Sequence, residues 1–323
     1  MINRQYSIII PVFNRPDEID ELLESLSCQT YKQFEVIIVE DGSSIRCDKI
    51  VEKYVFDLKI TYCYKKNEGQ GFARNYGFKR AKGNYLIVFD SDCILPPKYL
   101  EIVNDSLDRN YLDAYGGPDR AHEGFTPVQK AINYSMTSIL TTGGIRGKEK
   151  APGGFSPKSF NMGISREVFK ATKGYIIPYK GEDIEFSTRI KSMGFNVGLI
   201  EEAWVYHKRR TSWLKFFRQL HFFGTARINI SRFFPNQLNL VHFFPSFFTL
   251  GILLNILLWL VFPVAARIIT TAYLLYFLIL FLEATAKTRN PVIALMGVWA
   301  ALLQLTAYGL GFIQELIIRI FKK

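Results

Sequence analysis

The sequence is poor in cysteine and histidine, with four of each among 323 residues. Cys28, Cys47, Cys63 and Cys93 all fall within the first hundred residues and form no CxxC pair. That spacing argues against a zinc ribbon and a disulfide scaffold, and it fits a reducing cytosol. Internal repeats and low-complexity tracts are missing too, which sets aside a solenoid. The apolar run in MINRQYSIIIPVFNR is too short for a signal peptide and reads as a buried strand. Acidic residues are outnumbered, 29 against 40 Lys plus Arg. Beyond about Phe243, charge of either sign almost vanishes for long stretches.

What is present divides unevenly. Much of the positive charge gathers in Lys208, Arg209, Arg210, Lys215, Arg218, Arg227 and Arg232, immediately before the apolar stretches. A nucleic-acid module would carry such a patch on a soluble domain. Here anionic lipid headgroups and the positive-inside bias explain it better, so membrane lipids are expected partners and nucleic acid is not. Three apolar segments follow, at about 243–264, 268–286 and 292–313. Each is close to the roughly 20 residues that cross a bilayer. Before them, Trp213, Phe216, Phe217, Leu220 and Phe223 recur at helical spacing, with Lys215 and Arg218 elsewhere, as in a helix lying in the membrane interface.

The first part alternates strand and helix. Strand patterns at Tyr6–Val12, Phe34–Val39, Ile60–Tyr64 and Tyr85–Phe89 are separated by helical patterns at Asp17–Ser27, Lys49–Phe56 and Phe72–Ala81. That order predicts an α/β fold, a doubly wound and mostly parallel sheet followed by an α-helical membrane region. Ligands in such sheets sit beyond the carboxyl ends of the strands. The polar clusters Asn14-Arg15, Glu40-Asp41 and Asp90-Ser91-Asp92 lie there. From about Asp113 the pattern loosens. Gly143-Gly144, Pro152-Gly153-Gly154 and Pro157 mark a long stretch read as a lid or acceptor loop. Helix and strand resume at Glu182–Met193, Val197–Ile200 and Ala203–His207. The expected domains are residues 1–210 (catalytic), 211–240 (interfacial helix and linker) and 241–323 (two to three spans).

Asp90-Ser91-Asp92 places two carboxylates after a buried strand, hard oxygen ligands suited to Mn2+ or Mg2+ on a diphosphate. Alone it is a weak signal, because turns favour Asp and Ser. Four other pieces accompany it: Ile10-Pro11-Val12-Phe13-Asn14, Val39-Glu40-Asp41-Gly42-Ser43-Ser44, Gly69-Gln70-Gly71-Phe72-Ala73-Arg74-Asn75 and Gly181-Glu182-Asp183-Ile184-Glu185-Phe186. In this order and spacing, over about residues 5–210, the chain resembles a family-two glycosyltransferase of the GT-A fold.

The resemblance implies an enzyme that uses a nucleotide-diphosphate sugar and a divalent metal. It assigns Pro11, Val12 and Asn14 to the nucleotide and Asp41 to the base or ribose hydroxyls. The family's usual Asp-Asp is Glu40-Asp41 here. Gly69 and Gly71 allow close backbone approach. Arg74 meets the diphosphate or orients Asp90, and Asp90 and Asp92 hold the metal. His207 is a third metal ligand or a diphosphate contact. Of Glu182 and Asp183, the second is the expected catalytic base for inverting transfer, with Glu182 the alternative.

Processive synthases of this family carry Gln-x-x-Arg-Trp, where this chain reads Gln219-Leu220-His221-Phe222-Phe223. That departure, with so few spans, implies transfer of a single sugar to a lipid-linked or other membrane-proximal glycan acceptor. A nucleotidyltransferase would open on a glycine-rich basic loop, which Pro11–Arg15 is not. A non-catalytic scaffold would not need Arg74, Asp90, Asp92 and Asp183 together.

The expected location is the plasma (inner) membrane, multi-pass, with the catalytic domain cytoplasmic. Segment length alone gives three crossings. That leaves Lys287 and Arg289 inside but puts Arg319, Lys322 and Lys323 outside, against the positive-inside rule. A re-entrant first segment would reverse both placements.

Overall fold

The structure is a computed structural model that describes residues 4–122, 124–143 and 155–321. Gly144, Pro152, Gly153 and Gly154 of the expected lid lie outside the described residues. In chain order the elements are β1 (Tyr6–Val12), α1 (Pro16–Ser27), β2 (Phe34–Asp41), α2 (Asp48–Val51), β3 (Ile60–Lys65), α3 (Gln70–Phe78), β4 (Tyr85–Phe89), β5 (Cys93–Ile94) and α4 (Tyr99–Arg109). Then come β6 (Ala114–Gly116), β7 (Asp119–Arg120), α5 (Pro127–Thr137), α6 (Ile139–Thr142), β8 (Asn161–Ser165), α7 (Arg166–Thr172), α8 (Glu182–Ser192), β9 (Val197–Leu199) and β10 (Val205–His207). Four long helices follow: α9 (Trp213–Ile230), α10 (Phe244–Val261), α11 (Pro263–Thr288) and α12 (Pro291–Phe321). The chain forms two compact units: Met1–His122 with Gly154–Lys208, and Glu123–Gly153 with Arg209–Lys323.

The first unit is built on a seven-stranded sheet in the order β3-β2-β1-β4-β8-β6-β9. Strands β3, β2, β1 and β4 run parallel, and β8 inserts antiparallel between β4 and β6. Strand β1 alternates its side chains between faces. Tyr6, Ile8, Ile10 and Val12 pack with Ile19, Leu22, Leu23 and Leu26 of α1. Ile9 packs on the other face with Ala73 and Phe78 of α3 and Phe186 of α8. Burial on both faces is why these strands read as unbroken apolar runs. The chain leaves β1 toward β2 and β3, then crosses back to β4 on the other side of β1. The reversal opens a crevice at the carboxyl ends of β1 and β4. A second sheet, β5-β10-β7, pairs His207 with Cys93.

The second unit holds α5, α6 and α9–α12. Helix α5 lies in the stretch after Asp113 where the sequence pattern loosens. It is opened by Thr126 and Gln129 in a reciprocal capping box, with a proline in its first turn. Three candidate spans are long and apolar enough to cross a membrane: Leu240–Val261, Pro263–Thr288 and Pro291–Phe321. The helix expected at Trp213–Phe223 continues to Ile230.

Candidate active site

At the end of β1, Asn14 takes a left-handed backbone with φ of 55°. Its Oδ1 accepts from the Ser44 and Ile45 backbone N–H groups at 2.8 and 2.9 Å, and its own N–H donates to Ser43 Oγ at 2.8 Å. Asn14 thus ties the loop after β1 to the loop after β2. Pro11 and Val12 are the last residues of β1, with Val12 buried in the core.

Both oxygens of Asp41 are engaged within the protein. Oδ1 accepts from Lys65 Nζ at 2.8 Å and Glu68 N at 3.0 Å, and Oδ2 accepts from Gly69 N at 2.8 Å. The side chain expected to meet a ribose therefore fixes the glycine loop. Glu40 explains its own departure from Asp. Its longer side chain is buried and reaches Cys47 N at 2.9 Å and Tyr62 Oη at 2.8 Å. Burial, reinforced by Glu40, pushes the Cys47 thiol well above its ordinary range.

The two glycines make room for the chain itself. Gly69 has φ of +96°, and a Cβ there would meet Pro178 Cβ at 2.7 Å. A Cβ on Gly71 would stand 2.5 Å from the Ile177 carbonyl oxygen, and Gly71 N donates to the Pro178 carbonyl at 2.9 Å.

Arg74 is the centre of the arrangement. It is only 1% exposed, on the buried face of α3. Nη2 donates to Asp90 Oδ1 at 2.7 Å and Nη1 to Glu182 Oε1 at 3.1 Å, with the guanidinium 5.4 Å from the Tyr175 ring centre. Burial works against the cation, but Asp90, Tyr175 and Glu182 together raise its pKa further. One guanidinium thus joins the end of β4 to the start of α8. Gln70 also donates to Glu182.

The adjacent acids of α8 have different surroundings. The Glu182 carboxyl is buried. Burial lifts its pKa above the usual carboxylate range, Arg74 opposes this, and Asp183 adds to it. Asp183 is a quarter exposed, with Lys158 Nζ at 3.6 Å and the Ile184 N–H at 2.8 Å. Gly181, at φ +97°, makes the turn into the helix.

At the far end of the Asp90-Ser91-Asp92 turn, Asp92 is buried. Arg15 Nη1 lies 2.9 Å from its Oδ2 and His207 Nε2 lies 3.1 Å from its Oδ1. The pairing of β5 with β10 puts His207 there, and Lys208 N donates to the Asp92 carbonyl at 3.0 Å. Phe160 stacks on His207, ring centres 4.8 Å apart. One ligand atom each from Asp92, Cys93 and His207 lies within 4.8 Å of the others. Burial, then Asp92 and Asp90, hold the Cys93 thiol well above its ordinary range. A thiol suits softer metals, whereas a carboxylate suits Mn2+ or Mg2+. Asp92 and His207 thus offer two of the donors such an ion takes, while Asp90 is bound to Arg74 and is not part of that cluster.

Sequence reasoning placed Arg15 in a polar cluster at a strand end without a partner, and gave Cys93 no role in the site. The DxD spacing predicts neither, because a two-residue strand and a loop cation leave no periodic trace.

A family model described as glycosyl transferase family 2 matches residues 7–172, just over half of the chain. The chain belongs to that family. It is 34% identical over 219 residues to an uncharacterized glycosyltransferase of Haemophilus influenzae, covering 64% of this chain and 70% of the relative. It is 29% identical over 214 residues to the minor teichoic acid biosynthesis protein GgaB of Bacillus subtilis, covering 64% of this chain and 23% of that one. Against an uncharacterized glycosyltransferase of Rickettsia felis it is 39% identical over 104 residues, 32% of this chain, and it spans only 17% of the relative's length. Among solved structures, mannosyltransferase PcManGT from Pyrobaculum calidifontis, in complex with GDP-Man and Mn2+, shares the fold. Its TM-score is 0.61 at 17% identity, over 99% of this chain and 88% of that one. This family 2 glycosyltransferase thus combines a GT-A-like α/β unit with C-terminal helices apolar enough for a membrane.

Proposed function

We propose that this family 2 glycosyltransferase moves one sugar, with inversion, from a nucleotide-diphosphate sugar to a hydroxyl of a lipid-linked or membrane-proximal glycan acceptor in the cell envelope. The observation that carries the reading is the split between adjacent acids: Arg74 anchors Glu182 beside Asp90, while Asp183 stays accessible. Asp183 takes the acceptor hydroxyl proton as that oxygen bonds to the anomeric carbon. The bond from that carbon to the donor phosphate breaks, and the nucleoside diphosphate leaves. Arg74 is a positioning residue that holds Asp90 and Glu182. Backbone at Pro11, Val12 and Asn14 lines the donor, and Asp41 fixes the loop of Gly69 and Gly71 beside it. Mn2+ or Mg2+ held by Asp90, Asp92 and His207 neutralises the diphosphate charge when bound.

The bound GDP-Man and Mn2+ of the Pyrobaculum enzyme support the donor class and the metal. The teichoic-acid relative supports the envelope acceptor. In this reading residues 1–210 are catalytic, 211–240 interfacial and 241–323 membrane-embedded. The catalytic part faces the cytosol at the plasma membrane, where nucleotide sugars are made. A donor panel with polyprenyl-phosphate and lipid-linked sugar acceptors tests this. Acceptor-dependent release of nucleoside diphosphate is expected for at least one pair and lost with EDTA. Release without any acceptor requirement, or full activity in EDTA, would overturn the reading.

A further inference from the structure

Three helices are long enough to cross a membrane, yet they are unequally wrapped by protein. The apolar windows of the α10 and α11 spans are 17% and 11% buried, against 44% for α12. Helices α10 and α11 form a hairpin turned at Phe262-Pro263. Asn255 and Trp259 donate to Thr270 Oγ1 near the tip, and Tyr273 Oη donates to the Phe248 carbonyl further down. From Gly251 to Ile279 the hairpin exposes Leu253, Leu257, Leu260, Ile268, Leu275 and Leu278 among others.

Helix α12 meets this hairpin at its base. Thr249 Oγ1 donates to the Leu305 carbonyl, a Cβ on Gly309 would strike the Pro245 carbonyl oxygen at 2.4 Å, and Phe312 packs on Phe243. As α12 advances from 305 to 312, its partners pass from Thr249 and Pro245 of α10 to Phe243 just before that helix, away from the tip. Its first turns sit against Tyr134 of α5, whose hydroxyl bonds Leu280 and Glu283 near the end of α11.

Over residues 300–319, α12 also runs parallel to α9. Ala300 and Ala307 pack with Phe216 and Leu220. A Cβ on Gly224 would stand 2.1 Å from the Tyr308 carbonyl oxygen, and one on Gly311 2.1 Å from that of His221. At the far end Arg319 Nη1 donates to Ser231 Oγ at 2.8 Å. Paired small residues bring the two backbones close. If α12 crossed the bilayer, α9 would be carried across beside it with Lys215 and Arg218 on its exposed face. Cations in mid-bilayer are costly and rare.

We infer that the α10–α11 hairpin alone enters the hydrocarbon. The α9–α12 pair lies flat at its base, docked on anionic phospholipid headgroups through the cations of α9. The exposed Leu295, Trp299, Leu310 and Ile317 of α12 suit the acyl boundary of that surface. Residues 209–232, Lys287, Arg289 and Arg319 then share one side of the membrane. This satisfies the positive-inside rule, which three crossings violate.

The test uses the full chain with Cys28→Ser and Cys63→Ser, reconstituted in phosphatidylethanolamine–phosphatidylglycerol vesicles and also expressed in cells. An impermeant maleimide probes Arg289→Cys and, separately, a cysteine appended after Lys323. The same sidedness for both is expected, and opposite sidedness would overturn the inference. Nitroxides at Leu295→Cys, Leu310→Cys and Ile317→Cys are then compared with Leu253→Cys by paramagnetic depth measurement. The three α12 sites should share one shallow depth while Leu253 lies deep. A depth that peaks at Leu310 would show a spanning helix. Replacing phosphatidylglycerol by phosphatidylcholine should increase the water exposure of a nitroxide at Leu214→Cys. An unchanged signal would reject the anionic headgroup as partner.

Discussion

Replacing Arg74 with methionine tests the charge arrangement at the centre of the site. The side chain is fully buried and satisfies Asp90 and Glu182 at once. Removing one partner of a buried ion pair costs about 3–5 kcal/mol, because the other charge stays behind without compensation. Asp90 is a third exposed and water screens it, so most of the loss falls on Glu182. For a unit of this size about 1 kcal/mol moves the melting temperature by roughly 2–4 °C, so Arg74→Met should melt about 6–20 °C lower near pH 8.

The sign of the pH dependence follows from Glu182, whose folded-state pKa burial already lifts above the usual carboxylate range. A raised carboxylate pKa contributes stability that is present below the unfolded value and lost as pH rises through the folded one. Arg74 lowers that pKa, so its removal moves the folded value further up and widens the window. The deficit of Arg74→Met should therefore shrink between pH 8 and pH 5, and Arg74→Met/Glu182→Gln should recover most of it at pH 8. Thermal unfolding of the full chain in detergent, followed by intrinsic fluorescence, reads all three. A loss under about 2 °C at pH 8, or one that does not change with pH, would refute the reasoning.

Three other outcomes are expected. Asp183→Asn should lower kcat by about 10²–10⁴-fold with donor KM little changed, while Glu182→Gln should alter stability as well as rate; a collapse of donor affinity in Asp183→Asn with turnover intact would reverse the assignment. Asp92→Asn should need far more Mn2+ for half-maximal turnover while its circular dichroism stays that of the parent, and an unchanged metal titration would remove Asp92 from the ligand set. Gly163→Ala should destabilise by about 1–3 kcal/mol, the usual cost of overpacking, because its Cβ would lie 2.1 Å from Tyr115 Cε1; a melting curve equal to the parent would show that Tyr115 gives way freely.

Strands β1, β2 and β4 were legible because burial on both faces leaves an apolar run that no helix of that length would need. Helix α5 was not. Its signal, Thr126-Pro127-Val128-Gln129, sits beside glycines and prolines that read as loop, and its buried face mixes Ala131, Ile132, Tyr134 and Met136 with the polar Gln129 and Ser135. The motif positions were readable, but their partners were not. Which cation meets Asp92 depends on a turn after β1 and on β5 and β10, elements of two and three residues. The glycine loop was read as leaving space for a ligand, whereas the segment Tyr175–Tyr179 packs into that space. That contact joins residues a hundred positions apart and has no local sequence pattern.

The two carboxylates of Asp90-Ser91-Asp92 are held by cations of unequal freedom. Arg74, at Asp90, is sealed between α3, Tyr175 and Glu182, and no movement short of opening the core releases it. Arg15, at Asp92, comes from a loop, is a third exposed and is shared with Glu18. Asp92 itself is only 4% exposed, so water screens this pair less than a surface pair. In the proposed reading a divalent ion at Asp92 would compete with a loop cation, while Arg74 keeps Asp90 fixed. The arrangement gives one carboxylate held from the core and one held from a loop at the end of a single strand. The chain achieves it with adjacent motifs whose anchoring residues, Arg74 and Arg15, come from opposite sides of the sheet reversal between β1 and β4.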